Sequence, residues 1–541
     1  MSTIRLRLQP LSRYVAPACL ALVVGSMAAV MFASHRSGHW WGDDWALYVR
    51  QAKGLLNGEA GRVIDDNRFS VEVSRGPAFS PPLYPWGFPL ILAPFVAVVG
   101  TDLDQLAIVG VLSACLFACC WYLLAKPRLG PLVAITGAAA ITLSPALLAW
   151  TELIQSELPF MAVTALVLVG LDRSVTTRGL TRATAPIWPL ICLGCGAAAA
   201  FTVRREGLAM VAAIAAAQLA ALFADLGERW WRVDSGRTRI AARLLVPHLS
   251  ALVVVWLVQV ILPSTIVPKY TGTSVANVGR LFPEHVDHLA EVVGLKRAWE
   301  ADPTIFDSVV LGWLAVGLYL LLACVGIALA VTRNRRRDLH LVVYALVAFV
   351  IGGSFRVAIN RYVCTVAPVL LLLALVALVT ALGTLHHRRL RLLPTLVATL
   401  ALAAIVAGNI ANANIRIDRA ASFRQNGQVE WGPTHPDAIE MFDAVIDLTE
   451  PDDVVAAPKA RAMTFATSRR SVQVDDYRPL PTTIELALIV TEPGNALTDE
   501  LLAQPERYEV VWRNSRFVLF QPSSASSAAT NGAGSSSTAS P

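Results

Sequence analysis

Asp43 and Asp44 are adjacent acids flanked by Trp40, Trp41 and Trp45. A carboxylate set among aromatic residues at a membrane face is suited to taking a proton from an alcohol, and Asp43 or Asp44 is the candidate base. The plain structural account is that one of them caps the helix expected over 45–57, which explains one acid and not two. Holding a departing phosphate needs cations, and arginine suits it best because its planar fork binds two oxygens at once. The candidates are Arg204 and Arg205 in Arg-Arg-Glu-Gly, Lys269 in Pro-Lys-Tyr, and Arg361 with Tyr362 in Asn-Arg-Tyr. For any single one, headgroup contact or an ion pair with Glu206 is the competing account. Glu152 and Glu157 in Thr-Glu-Leu-Ile-Gln-Ser-Glu are candidates to orient an acceptor or to pair with those arginines, with helix capping by Ser156 and Glu157 as the alternative. His35, His39 and Asp43 at four-residue spacing, and His285 with His288 at three, leave a divalent cation possible; neither set completes a coordination shell.

The elements that must position these groups are membrane helices. Hydrophobic residues fill 55% of 541 positions and charged residues 16%, a balance foreign to soluble domains, so the chain reads as a polytopic α-helical membrane protein. The eight cysteines all lie in apolar stretches, which argues against a disulfide framework, and Cys192 and Cys195 sit in a small, apolar setting that fits packing better than redox chemistry. The net charge of +6 matters through its distribution and calls for no nucleic-acid partner.

Apolar runs of roughly spanning length occur at 14–34, 106–125, 131–151, 158–171, 185–203, 207–224, 244–263, 308–332, 339–355, 362–385 and 392–410, about eleven transmembrane helices. The run 86–100 has fifteen residues, with Pro89 and Pro94 inside, and reads as re-entrant or interfacial. Leaving it out places the basic clusters at 126–128, 173–182, 229–243, 333–337 and 388–391 on the inner side; counting it would put them all outside. The N-terminus is then cytoplasmic, and the loop 35–105, the turns at 151–157, 204–207 and 356–362, the loop 264–307 and the C-terminal region face outward, where they can converge on one site. The expected division is a transmembrane domain over 1–412 that includes the outer loop 35–105, a small extracytoplasmic α/β domain over 413–521, and a disordered Ser/Ala/Thr/Gly tail over 522–541. In the α/β domain, strands are expected at 454–457, 471–474 and 484–490, helices at 460–467 and 498–502, and a closing hairpin from 509–512 to 516–520. The Trp45, Tyr48, Ala52 and Leu55/Leu56 face of the 45–57 helix is expected at headgroup level.

The order of these features carries a resemblance. A first outer loop with an acid pair, then Pro81-Pro82-Leu83-Tyr84-Pro85 and a hydrophobic stretch, then a span ending at an inner basic turn, then the outer Thr151-Glu152-X-X-X-Ser156-Glu157 turn, resembles the GT-C glycosyltransferases, the superfamily of the protein O-mannosyltransferases and the lipid A aminoarabinose transferases. Motif detail covers about 14–210, and the remainder is similar in architecture. The resemblance implies a GT-C-like fold and a glycosyltransferase. It would move a sugar from a polyprenyl-phosphate donor, bound among membrane lipid, to an acceptor (protein, glycan or lipid) on the outer face of a bacterial plasma membrane. It makes Asp43 or Asp44 the essential first-loop acid. The rigid Pro-rich element at 80–87 would hold Tyr84 near the acids, with a purely structural proline turn as the alternative, and inversion is the expected stereochemical course. The alternative is a transporter or flippase of lipid-linked sugars, which usually needs ionisable groups at the bilayer midplane and repeated halves; neither is evident here.

Overall fold

The computed structural model describes residues 2–74, 83–177, 179–182, 184–226, 235–262, 273–295, 309–385, 392–474, 480–481 and 484–523. The chain forms two compact units: one of 1–35, 107–261 and 272–426, the other of 36–106, 262–271 and 427–541. The first outer loop therefore shares a unit with the C-terminal region.

The first unit is helical throughout, and every one of the eleven apolar runs forms helix: Ser2–Ser34, Ile108–Leu129, Pro131–Thr142 with Pro145–Thr151, Glu157–Thr176, Trp188–Val203, Ala209–Leu226, Ser235–Ile261, Val309–Thr332, Arg335–Gly353, Val366–Leu385 and Leu393–Gln425. Among the described residues eight helices are long and apolar enough to cross a membrane, or nine if the pair Pro131–Thr142 and Pro145–Thr151, bent by 61°, counts as one span. This establishes a multi-pass membrane protein without reproducing a count of eleven. Trp188–Val203 has only 16 residues, and Arg335–Gly353 opens on Arg-Arg-Arg-Asp, which shortens its apolar part. Leu393–Gln425 runs 33 residues, about 50 Å at ~1.5 Å per residue, and passes straight through position 412. Small residues let helices close on one another: a Cβ on Gly326 would stand 2.2 Å from the Leu373 carbonyl oxygen.

A buried cation binds elements of this unit together. Arg128 ends the helix Ile108–Leu129 and is 2% exposed in its side chain, donating from Nη2 to Asp172 at 2.5 Å and from Nε to Asp338 at 2.8 Å. It ties three helices together instead of meeting lipid headgroups.

The second unit joins the helices Asp44–Asn57, Ala60–Val73 and Gly87–Val99 to a mixed sheet. Its strands are β1 (Val454–Ala457), β2 (Arg470–Gln473), β3 (Leu488–Thr491), β4 (Tyr508–Arg513) and β5 (Val518–Pro522), in spatial order β2-β1-β3-β5-β4. β1 is parallel to β2 and β3, while β5 is antiparallel to β3 and β4. Helices Pro436–Leu448, Ala460–Thr467 and Ala496–Leu502 complete it. Ala456, Val472, Ile489, Leu497, Leu501 and Phe520 form its core, as the alternating and short continuous apolar runs require.

Gly87–Val99, with 13 residues and Pro94 inside, is shorter than a span. The helix Asp44–Asn57 ends at Gly58 in the left-handed conformation (φ 72°), where glycine carries no Cβ penalty. Its Trp45, Tyr48 and Ala52 face is not at headgroup level but inside the protein, at 1%, 6% and 0% exposed. Tyr48 packs edge-on to Phe88, and Trp45 edge-on to Phe465. Trp41 is equally buried, edge-on to Trp431, Phe442 and Phe517. Of the three tryptophans around the acid pair only Trp40 is exposed. An amphipathic face beside a sheet domain satisfies its apolar side against that domain before it meets lipid.

Candidate active site

The acid pair lies at the start of Asp44–Asn57. Asp43 occupies the N-cap position, yet its side chain makes no capping bond. Its Oδ1 instead accepts from the backbone N–H of Ala462, at 3.4 Å. Asp44 Oδ1 accepts from the Tyr84 hydroxyl at 2.5 Å. Between them stands Arg461, 2% exposed, with Nε 4.0 Å from Asp43 Oδ2 and Nη1 3.9 Å from Asp44 Oδ1. The same guanidinium donates to Asn67 Oδ1 at 2.7 Å and to the Tyr84 hydroxyl oxygen at 2.8 Å, and lies over the Tyr84 ring at 4.8 Å. Tyr84 is fixed in turn by the Tyr48 ring at 4.8 Å and by Gln51, whose amide donates to its carbonyl. Two acids, a phenol and a guanidinium are thus held by four different segments of one unit.

The electrostatics separate the two acids. Burial raises the Asp43 carboxyl above its ordinary value, Arg461 opposes that, and Asp44 reinforces it. Burial likewise lifts the Tyr84 phenol well above its usual range, so it stays protonated and donates. Asp43 Oδ2 is buried and has no hydrogen-bond partner among the described residues. Asp43 therefore holds a carboxylate of enhanced proton affinity, and Asp44 holds one already engaged by a phenol.

The other candidates gather in the membrane unit. Arg204, 9% exposed, donates to Glu157 Oε1 at 2.5 Å, to Glu206 Oε1 at 2.8 Å and to Ser156 Oγ at 3.2 Å. Arg361 Nε lies 3.7 Å from the same Glu157 oxygen with its side chain 27% exposed. Both guanidiniums approach the Tyr362 ring, at 5.9 and 5.8 Å, and Tyr362 stacks on Phe355 at 4.3 Å. Glu152 faces Arg416 at 3.5 Å. Arg205 is half-buried with its guanidinium over Phe201. Lys269 lies outside the described residues. Among the described residues no group of three or more His, Cys, Asp or Glu side chains is placed to hold a metal ion; His288 pairs with Glu291, and His285 is buried beside Phe349.

No protein-family model and no curated protein sequence matches the chain. Solved structures do. ArnT from Cupriavidus metallidurans in the apo state is similar at TM-score 0.54 and 15% identity, over 94% of this chain and 99% of that one. The same protein bound to undecaprenyl phosphate is similar at TM-score 0.53 and 14% identity, over 93% and 98%. This chain has an ArnT-like GT-C fold. At such identity the likeness is one of fold, and it extends across the membrane helices and the sheet domain alike.

Within the GT-C fold two site residues escape sequence reading, Arg461 and Arg416; the ion pair of Arg204 with Glu206 is the competing account the sequence already offers. Arg461 did leave a signal. It sits in the first turn of Ala460–Thr467, where the helix dipole disfavours a cation, among Ala460, Ala462 and Met463, which are all buried. A cation against the dipole on an apolar helix has a partner elsewhere.

Proposed function

We propose that the chain is a glycosyltransferase moving a sugar from a polyprenyl-phosphate donor to a hydroxyl of an acceptor on the extracytoplasmic side of a bacterial plasma membrane. The observation that carries this reading is the acid pair locked onto Arg461 and Tyr84. Asp43 is the general base: burial raises its affinity for a proton, and Oδ2 has no hydrogen bond to lose when an alcohol arrives. Asp44, held by the Tyr84 hydroxyl, positions the pair. The acceptor oxygen loses its proton to Asp43 and bonds to the anomeric carbon while the bond from that carbon to the phosphate oxygen breaks, with inversion through an oxocarbenium-like transition state. Polyprenyl phosphate leaves with the bonding electrons.

In the membrane unit, Arg361 and Arg205 take the phosphate role. Arg204 has both neighbouring carboxylates and serves as the internal tie that orients Glu157 and, through it, Arg361. The fold likeness to a protein solved with undecaprenyl phosphate supports a carrier of that class. The test supplies membranes with radiolabelled polyprenyl-phosphate sugars and compares the native chain with Asp43→Asn and Asp44→Asn. Loss of a general base lowers transfer by about 10²–10⁴-fold. Undiminished transfer by Asp43→Asn would sink the assignment.

A further inference from the structure

The sheet domain carries a pocket that the transfer chemistry does not use. Its walls are Trp41, Phe442, Met463 and Phe517, with Lys459 and Glu492 at its edge, around a cavity of about 90 Å³. Its place in the topology is informative. The order β2-β1-β3, all parallel, sends the chain from β1 to one side and then to the other, so β1 and β3 form the switch point of the parallel part. Ligands in such sheets bind beyond the carboxyl ends of the strands at that point. Pro458 and Lys459 follow β1 there, and Glu492 follows β3.

A second observation points to an occupant. Trp41 is nine-tenths buried in the pocket wall, and its indole N–H has no hydrogen-bond partner among the described residues. Buried donors are seldom left so. The ligand chemistry follows from the lining. One ammonium and one carboxylate cancel, which disfavours a phosphate or other polyanion. Aromatic and thioether walls suit the C–H face of a sugar ring, and the indole donor, the ammonium and the carboxylate suit its hydroxyls. The pocket adjoins the acid pair: Met463 follows Ala462, whose N–H binds Asp43, and Trp41 precedes Asp43 by two residues.

We infer that this pocket binds a sugar ring of a glycan acceptor, the word acceptor resting on the transferase reading above. Saturation-transfer NMR on the full chain in detergent, with methyl hexopyranosides and methyl pentofuranosides as probes and a short Ser/Thr peptide in parallel, tests it. At least one glycoside gives a signal, and its affinity falls about tenfold in Trp41→Phe, which keeps the ring and removes the donor, and in the exposed Glu492→Ala, which holds the test open should the first variant fail to fold. Silence from every glycoside, or a signal indifferent to both variants, overturns the inference. A peptide signal lost in the same variants assigns the pocket to a protein acceptor and overturns the glycan. If Asp43→Asn still transfers labelled sugar while the glycoside signal persists, the base assignment falls and the pocket stands.

Discussion

Replacing Arg461 by Met separates the charge of the site from its shape. The side chain is 2% exposed and lies about 4 Å from both acids, at 4.0 Å from Asp43 and 3.9 Å from Asp44. At an effective dielectric of about 20, each such pair is worth ~4 kcal/mol before desolvation is counted. Desolvation offsets much of that in the intact site, but a buried partner left alone has no such offset. Removing one member of a buried pair typically costs about 3–5 kcal/mol, and here the Asn67 and Tyr84 hydrogen bonds go with it. The thermal midpoint of Arg461→Met should fall accordingly. The activity consequence has a definite sign. Burial raises the Asp43 carboxyl and Arg461 opposes the rise, so without Arg461 the carboxyl climbs further. A base that must be ionised then works only at higher pH, and the acidic limb of kcat/KM moves up. Arg461→Lys restores the charge without the fork; it should recover most of the pH profile but not the full midpoint. An Arg461→Met chain whose acidic limb and midpoint both match the native values would refute the electrostatic account of the site.

Other consequences are open to measurement. Because the Asp43 carboxyl is raised in the folded chain, the fold binds its proton more tightly than the unfolded state; its contribution is most favourable at low pH and is lost as pH rises through the folded value. Asp43→Asn should therefore raise the melting temperature at neutral pH, with the gain vanishing in acid, even as it lowers transfer by about 10²–10⁴-fold; a variant less stable than native at neutral pH contradicts this. Tyr84→Phe removes the hydroxyl donated to Asp44 at 2.5 Å, and transfer should drop about ten- to a hundredfold, as expected for a hydrogen bond to a charged group. Arg204→Gln and Arg361→Gln should part company. The first leaves Glu206 buried without its cation and Glu157 with only the more distant Arg361, and costs about 3–5 kcal/mol of stability, whereas the second, 27% exposed, costs under about 1 kcal/mol and raises KM for the lipid donor. Equal effects on both readouts would erase the distinction between tie and phosphate clamp. Gly207→Ala would put a Cβ 2.3 Å from the Ala200 carbonyl carbon, backbone that cannot rotate away, and should lower the folded yield in detergent by fluorescence-detected size exclusion.

The fold was legible because the features that specify it are local. Each apolar run became a helix, and the short strands and helices of the sheet domain formed within a few residues of their expected places, since hydrophobic period and length report directly on burial. The candidate site was legible only on one side. Asp43, Asp44 and Tyr84 stand out in a first loop, but their cation comes from a helix some 400 positions later, and no period links the two. Trp41 and Trp45 illustrate the same limit from the other direction: an aromatic beside an acid looks alike whether lipid or a protein core will cover it, and here the core does. What distinguishes the cases is charge placed against local preference. Arg461 in the first turn of a helix opposes the dipole, and Arg128 at the end of an apolar helix is drawn inward by Asp172 and Asp338. A cation that local electrostatics disfavours or apolar neighbours would bury persists only where a tertiary anion compensates it. Such residues are therefore where a sequence of this kind points across the chain to its own buried carboxylates.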